Sequence, residues 1–173
     1  MRAGVTGAVL CTLAGTALGG FLRERKYARL RLLQGENEML GRLRLLLMEE
    51  RLGMPQLLRE CVGGEADSLF GKRLLEAAKL LEKKPLITPE EAYGEACRQY
   101  PLYAEKKEEK ALMQSLFRQL GRGTAAMREQ AAASVLRRLQ PALEEAEKSA
   151  KTGGRLCMQL GLLLGLMAGI ALW

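Results

Sequence analysis

The chain has 173 residues, a formal net charge of +7, a single aspartate (Asp67) and no histidine. It therefore cannot assemble a Ser-His-Asp or Cys-His nucleophile, a histidine-rich metal site or an aspartate-rich magnesium site. Its glycine-rich segments lack the residue order of a phosphate-binding loop, and its adjacent glutamates do not face one another on a helix. We expect no catalytic residue, no metal and no cofactor.

Two segments are free of charged side chains, residues 3–22 and residues 156–173. As helices they would extend about 30 Å and about 27 Å, close to the thickness of the hydrocarbon core of a bilayer. We predict transmembrane helices at both positions, flanking a domain of residues 23–155. A cleaved signal peptide is the alternative for the first segment, because Ala17-Leu18-Gly19 could form a cleavage site. The basic residues that follow directly favour an uncleaved anchor.

Basic residues concentrate at the inner ends of these two segments. They are Arg23, Arg25, Lys26, Arg29 and Arg31 after the first segment, and Lys148, Lys151 and Arg155 before the second. Residues 32–147 contain 18 basic and 19 acidic residues, so the domain itself has no basic excess and nucleic acid is not an expected partner. A basic loop between two membrane helices stays on the cytoplasmic side. We expect the domain in the cytoplasm, next to membrane lipid, and both termini outside.

Residues 23–155 are rich in Leu, Ala, Glu, Arg, Lys and Gln and poor in β-branched residues, a composition typical of helices. Apolar residues at helical spacing predict a first helix that continues out of the membrane segment and runs to about residue 52, followed by helices over residues 55–62 and about 66–83. Pro55 opens the second of these helices and Gly63-Gly64 closes it. The residues expected to face the core are Tyr27, Leu30, Leu33, Leu40, Leu43 and Leu47 in the first helix, and Leu69, Phe70, Leu74, Ala77, Leu80 and Leu81 in the third.

The clearest local signal is Thr88-Pro89-Glu90-Glu91. Thr88 as N-cap with Glu91 three residues later predicts a capping box, so that a fourth helix begins at Pro89. Helical spacing predicts a fifth helix over about 105–120, and a sixth that begins near Thr124 and is kinked by Pro141. The residues expected to face the core are Ala92, Tyr93, Ala96 and Cys97, then Leu112, Met113, Leu116, Phe117 and Leu120, and finally Met127, Ala131, Val135, Leu139, Ala142 and Ala146.

Small residues recur every four positions in both charge-free segments. The glycines are Gly7, Gly15 and Gly19 in the first segment, and Gly161, Gly165 and Gly169 in the second. Such ladders allow helices to approach closely in a membrane. Two explanations stay open: the ladders pair the two segments within one chain, or they form contacts between subunits of a homo-oligomer or with partners. Cys61 and Cys97 lack metal-site spacing, and we expect them to be buried thiols.

The sequence thus predicts an all-α protein, a cytoplasmic bundle of about six helices flanked by two transmembrane helices. Several features also recur in one family: an anchor followed by a basic helix, Thr88/Glu91/Ala92/Tyr93 as a T-x-x-E-A-aromatic pattern, a Leu120-Gly121 break, an acidic-alanine run at residues 143–147, and a terminal span rich in Leu and Gly. In these features the whole chain resembles stage III sporulation protein AB of endospore-forming bacteria.

This resemblance implies a membrane component of the channel that links the mother cell and the forespore, located in the mother-cell membrane around the forespore. It also implies a helical domain similar to the cytoplasmic domains of type II secretion platform proteins. The implied partners are a cytoplasmic secretion-type ATPase, sporulation protein AA, and other membrane components of the channel. We predict a non-enzymatic scaffold that docks this ATPase. The alternative is a membrane-tethered regulator that binds a soluble cytoplasmic partner without forming a channel.

Overall fold

The structure is a computed structural model that describes residues 2–48, 52–153, 159–160, 163 and 167. These residues form α1 (Arg2–Met48), α2 (Met54–Val62), α3 (Leu69–Lys83), α4 (Pro89–Gln99), α5 (Lys107–Leu120) and α6 (Ala125–Lys148), followed by a short π-helical segment, Ser149–Gly153. The described part of the chain contains no β-strand. The prediction of an all-α protein is therefore confirmed.

Two helices begin later than predicted because local hydrogen bonds fix their first turns. α3 begins at Leu69 because the Ser68 hydroxyl accepts a hydrogen bond from the Gly71 N–H at 2.9 Å, which makes Ser68 the N-cap. α5 begins at Lys107 because the Glu109 carboxylate accepts a hydrogen bond from the Lys106 N–H at 2.8 Å. The first helix ends before the predicted residue 52, which lies in a bend.

Among the residues that the structure describes, no helix combines the length and the apolar character needed to cross a membrane. Residues 3–22 lie in α1. The other predicted span, residues 156–173, lies outside the described residues except for four positions. Both transmembrane helices stay predictions.

The chain divides into two compact units. The first consists of Met1–Arg31 and Leu143–Trp173, and the second of Leu32–Ala142. In the first unit, Ala146 and Ala150 are buried and the Lys151 ammonium pairs with the Glu147 carboxylate at 2.5 Å. The second unit contains the helices α2 to α5 and holds most of the buried apolar side chains.

In the second unit, consecutive helices pack on one another: α2 on α3, α3 on α4, and α4 on α5. α1 and α6 are joined by two side-chain contacts, Asn37 with Gln140 at 3.2 Å and Arg44 with Glu129 at 2.5 Å. The lower-numbered residue of α1 contacts the higher-numbered residue of α6, so these two helices run antiparallel. The predicted core residues of α1 in this unit, Leu33, Leu40, Leu43 and Leu47, are all buried.

α4 and α5 each contribute a group of buried residues to this core. Ala92, Tyr93, Ala96 and Cys97 are buried, as predicted, and so are Met113, Leu116, Phe117 and Leu120. The Tyr93 and Phe117 rings stack with their centroids 4.0 Å apart and their planes at 6°. The paired rings bury a large apolar area between the two helices.

Two predicted core residues are exposed instead. Leu69, 49% exposed, is the first residue of α3, where the chain has just left its cap. Met127, 61% exposed, lies in the first turn of α6 over Gly123, whose φ of +93° turns the preceding loop. Both residues belong to the first turn of their helix. Pro141 lies inside α6, which runs on to Lys148, and the predicted kink stays a prediction.

Candidate interaction surface

The basic residues predicted at the first membrane boundary lie on one stretch of α1. Arg23, Arg25 and Arg31 are exposed, while Lys26 and Arg29 are partly buried. The Arg25 guanidinium lies over the Phe21 ring, 4.8 Å from its centroid, and Arg23 lies 5.5 Å from that of Tyr27. These cation–π contacts keep the charged groups beside aromatic rings that are themselves suited to a membrane interface.

The second basic cluster lies where α6 ends. Lys148 and Lys151 are exposed, and Arg155 lies outside the described residues. Within this unit Gly153 packs so closely against the Lys26 side chain that a Cβ at Gly153 would collide with the ammonium group. Lys26 of the first predicted cluster therefore lies beside the end of the π-helical segment that follows α6.

The glycine ladders are only partly described. Gly7, Gly15 and Gly19 lie on α1, and Gly19 is buried. Gly161, Gly165 and Gly169 lie outside the described residues. Which helix the ladders pack against stays a matter of prediction.

The structure contains the capping box at Thr88 and Glu91. The Thr88 hydroxyl accepts the Glu91 N–H at 3.2 Å, and the Glu91 carboxylate accepts the Thr88 N–H at 2.9 Å. The backbone hydrogen bond from Thr88, followed by that from its hydroxyl, lowers the pKa of Glu91. The capping box fixes the start of α4 at Pro89. The residue after it, Glu90, pairs with Arg118 of α5.

Glu90 connects the start of α4 to the end of α5. Its carboxylate accepts hydrogen bonds from Arg118 Nε at 3.0 and 3.1 Å and from Arg118 Nη2 at 2.7 Å. These bonds lower the pKa of Glu90, and the charge of Arg122 lowers it further. Close by, an added Cβ at Gly121 would lie 3.0 Å from Pro89 Cδ, so the two helix ends are in tight contact.

A groove of about 480 Å³ lies between the end of α5 and the start of α6. Arg118 and Arg122, from the end of α5 and the loop after it, line the groove together with Gln130 and Ser134 of α6, and Met127 and Ala131 contribute apolar surface. None of the lining residues is acidic and none is aromatic. The sequence reasoning missed this groove because it assigned Met127 to the core.

A second polar cluster lies in the core and was also missed. Arg73 is 1% exposed, donates from Nε to the Tyr100 carbonyl at 2.8 Å, and pairs through Nη1 with Glu105 at 2.8 Å. Burial disfavours its charge, but the hydrogen bond to Glu105, helped by nearby Tyr93 and Cys97, raises the pKa of Arg73. Burial also raises the pKa of the Tyr93 hydroxyl and of the Cys97 thiol.

The sequence does carry a signal for this cluster. Arg73 falls three residues after Phe70 and four before Ala77, on the buried face of α3. Glu36 likewise falls between Leu33 and Leu40 on the buried stripe of α1. Charged residues that interrupt an apolar stripe at the right spacing predict a buried polar contact.

The described residues contain no group of three or more His, Cys, Asp or Glu side chains able to hold a metal ion. The sequence profile of stage III sporulation protein AB matches residues 4–173, nearly the whole chain. The chain belongs to the stage III sporulation protein AB family. Comparison with curated proteins and with solved structures finds no match.

Membership of the stage III sporulation protein AB family implies a role in spore formation. The predicted resemblance is thereby confirmed over the full length. In this family member, the capping box, the Leu120-Gly121 break and the Tyr93–Phe117 stack all lie in the α4–α5 region. Two of the motifs that carried the resemblance, the start of α4 and the Leu120-Gly121 break, thus lie at helix ends of the bundle.

Proposed function

We propose that the protein is a non-enzymatic membrane scaffold, which holds a cytoplasmic secretion-type ATPase at the membrane during spore formation. The observation that carries the proposal is the separation of charge along the chain. Residues 3–22 and 156–173 have no charged side chain, and basic residues follow the first segment and precede the second. This pattern favours a domain tethered at both ends on the cytoplasmic side of a membrane.

The arrangement of the basic residues supports contact with lipid headgroups. Exposed Arg23 and Arg25 lie next to exposed Phe21 and Leu22 on α1. An apolar surface that passes directly into a basic one suits the boundary between acyl chains and anionic headgroups. The glycine ladders would then pack helices within the membrane, between subunits or with other components of the channel.

The titratable groups of the bundle support a role without catalysis. Burial raises the pKa of the Cys61 thiol to about 12, and it also raises the pKa of Cys97. Both thiols are therefore protonated at neutral pH, whereas a nucleophilic cysteine needs a lowered pKa. The buried Arg73 is occupied by Glu105 and by the Tyr100 carbonyl, so it holds the fold instead of facing a substrate.

The test is recovery of the ATPase with the full chain. An affinity-tagged chain, solubilised in mild detergent from sporulating cells, should co-purify sporulation protein AA, measured by immunoblot at equal membrane abundance. The matched control keeps residues 1–31 and 143–173 and replaces residues 32–142 by an unrelated helical domain. We expect the ATPase with the full chain and not with the control. Equal recovery by both, or none by the full chain, would overturn the proposal.

A further inference from the structure

The groove between α5 and α6 has an exposed apolar side chain in its lining, as binding grooves do. Its lining includes Met127, which is 61% exposed although it belongs to the apolar stripe of α6. Gly123 holds the loop above it at a φ of +93°, and a Cβ there would lie 3.2 Å from Met127 Sδ. Loop and thioether are thus closely fitted, and the methionine presents a flexible apolar surface that adapts to a partner.

The charged side chains that line the groove are both basic. Arg118 at one edge is held by Glu90, whereas Arg122 is exposed and forms no ion pair with any described residue. Helical spacing extends this surface along α6 from Gln130 through Ser134 to Arg137 and Arg138, which are both exposed. With no carboxylate in its lining, the groove favours a negatively charged occupant.

We propose that this groove is the docking site for an acidic, amphipathic segment of the ATPase. An apolar side chain of that segment would contact Met127 and Ala131, and its carboxylates would pair with Arg122 and with the arginines further along α6. The inference rests on the proposed function and adds the surface and the chemistry of the partner. A protein segment fits better than a nucleic acid, because the lining offers no aromatic ring on which a base could stack.

The experiment uses the tagged full chain and measures co-purified sporulation protein AA. Arg122→Glu reverses a positive charge in the lining of the groove, and Met127→Ser removes an apolar contact surface. The matched control is Arg98→Glu, an exposed arginine in the last turn of α4 that does not line the groove. We expect about a tenfold loss for Arg122→Glu, a smaller loss for Met127→Ser, and wild-type recovery for Arg98→Glu.

Ionic strength gives a second readout. Because the proposed contacts are charged and lie at the surface, recovery of the ATPase by the wild type should fall when salt rises from about 0.05 M to about 0.5 M. The Debye length shortens over this range from about 14 Å to about 4 Å, which screens the attraction between the two proteins. Recovery by Arg122→Glu should depend less on salt. A circular-dichroism spectrum equal to that of the wild type would show that each variant is folded.

The outcomes separate the two proposals. If the wild type recovers no ATPase, the proposed function and the assigned occupant both fall. If the wild type recovers it and Arg122→Glu does so equally, only the groove is wrong. An equal loss in Arg98→Glu would show a general charge effect and also overturn the groove. A loss of recovery after nuclease treatment would mean that nucleic acid bridges the two proteins, contrary to the inference.

Discussion

Two arginines of the same bundle, Arg73 and Arg122, meet opposite surroundings. Arg73 of α3 is buried, and it donates hydrogen bonds to the Tyr100 carbonyl and to the Glu105 carboxylate in the segment between α4 and α5. Arg122 lies on an exposed loop beside the groove. A buried charge is stable only with its full set of partners, so it fixes the fold. An exposed charge loses little free energy when it has no ion-pair partner, so it can pair with a group of another molecule.

The strongest test of this contrast replaces each arginine by alanine. Arg73→Ala would leave the Glu105 carboxylate buried without its cation, and we expect a loss of about 3–5 kcal/mol in the free energy of unfolding. Arg122→Ala should change it by less than about 0.5 kcal/mol. Urea unfolding of the fragment 23–155, the domain predicted from the sequence, would measure both. Comparable losses in the two variants would remove the distinction between the sites.

A smaller effect is expected at the cap of α4. Thr88→Ala removes the hydroxyl that accepts the Glu91 N–H, which should cost about 1 kcal/mol. The matched control is Thr124→Ala, because the Thr124 hydroxyl accepts the Met127 N–H only at 3.4 Å. Its loss should be clearly smaller in the same urea experiment. Equal losses at both positions would show that the geometry of the Thr88 cap adds nothing.

The smallest effect concerns acid. The pKa values of Glu90 and Glu91 are lowered in the folded state. Their contribution to the free energy of unfolding is therefore complete above the ordinary pKa of 4.5, and it disappears as the pH falls through the lowered pKa values. The melting temperature of the fragment should therefore be nearly constant from neutral pH down to about pH 5 and fall below it. Glu90→Gln should lower it by about 1–2 °C at pH 7.

The difference between Glu90→Gln and the wild type should shrink between pH 7 and pH 3, because protonation of the wild-type carboxylate removes the charge that glutamine lacks at both pH values. Thermal melts in matched buffers measure both conditions. A constant difference at the two pH values would mean that the loss comes from packing and not from the charge on Glu90. The charge of the Glu90–Arg118 pair would then add nothing measurable to stability.

Most of the fold was predictable because it depends on local spacing. The four buried positions of α4 follow from the period of the helix, and the capping box follows from Thr88 and Glu91 alone. The starts of α3 and α5 were placed two or three residues early, since Ser68 and Glu109 act through single hydrogen bonds that composition does not reveal. Local rules therefore fix the elements better than their first residues.

The groove could not be predicted in the same way. Met127 fits the apolar stripe of α6, and only the path of the loop through Gly123 leaves its side chain exposed. The edge of the groove depends on Glu90 meeting Arg118, 28 residues apart in the chain. Arg73 and Glu36 differ from these residues, since their place on buried stripes could have been recognised from spacing.

The burial of Cys61 and Cys97 makes the fragment 23–155 a ready background for site-directed labelling. It contains no other cysteine, and at neutral pH both thiols are protonated and shielded from solvent. A cysteine placed at exposed Gln130 would therefore react with maleimide dyes while the native pair stays silent. A fluorophore at that position would report directly when the groove between α5 and α6 is occupied.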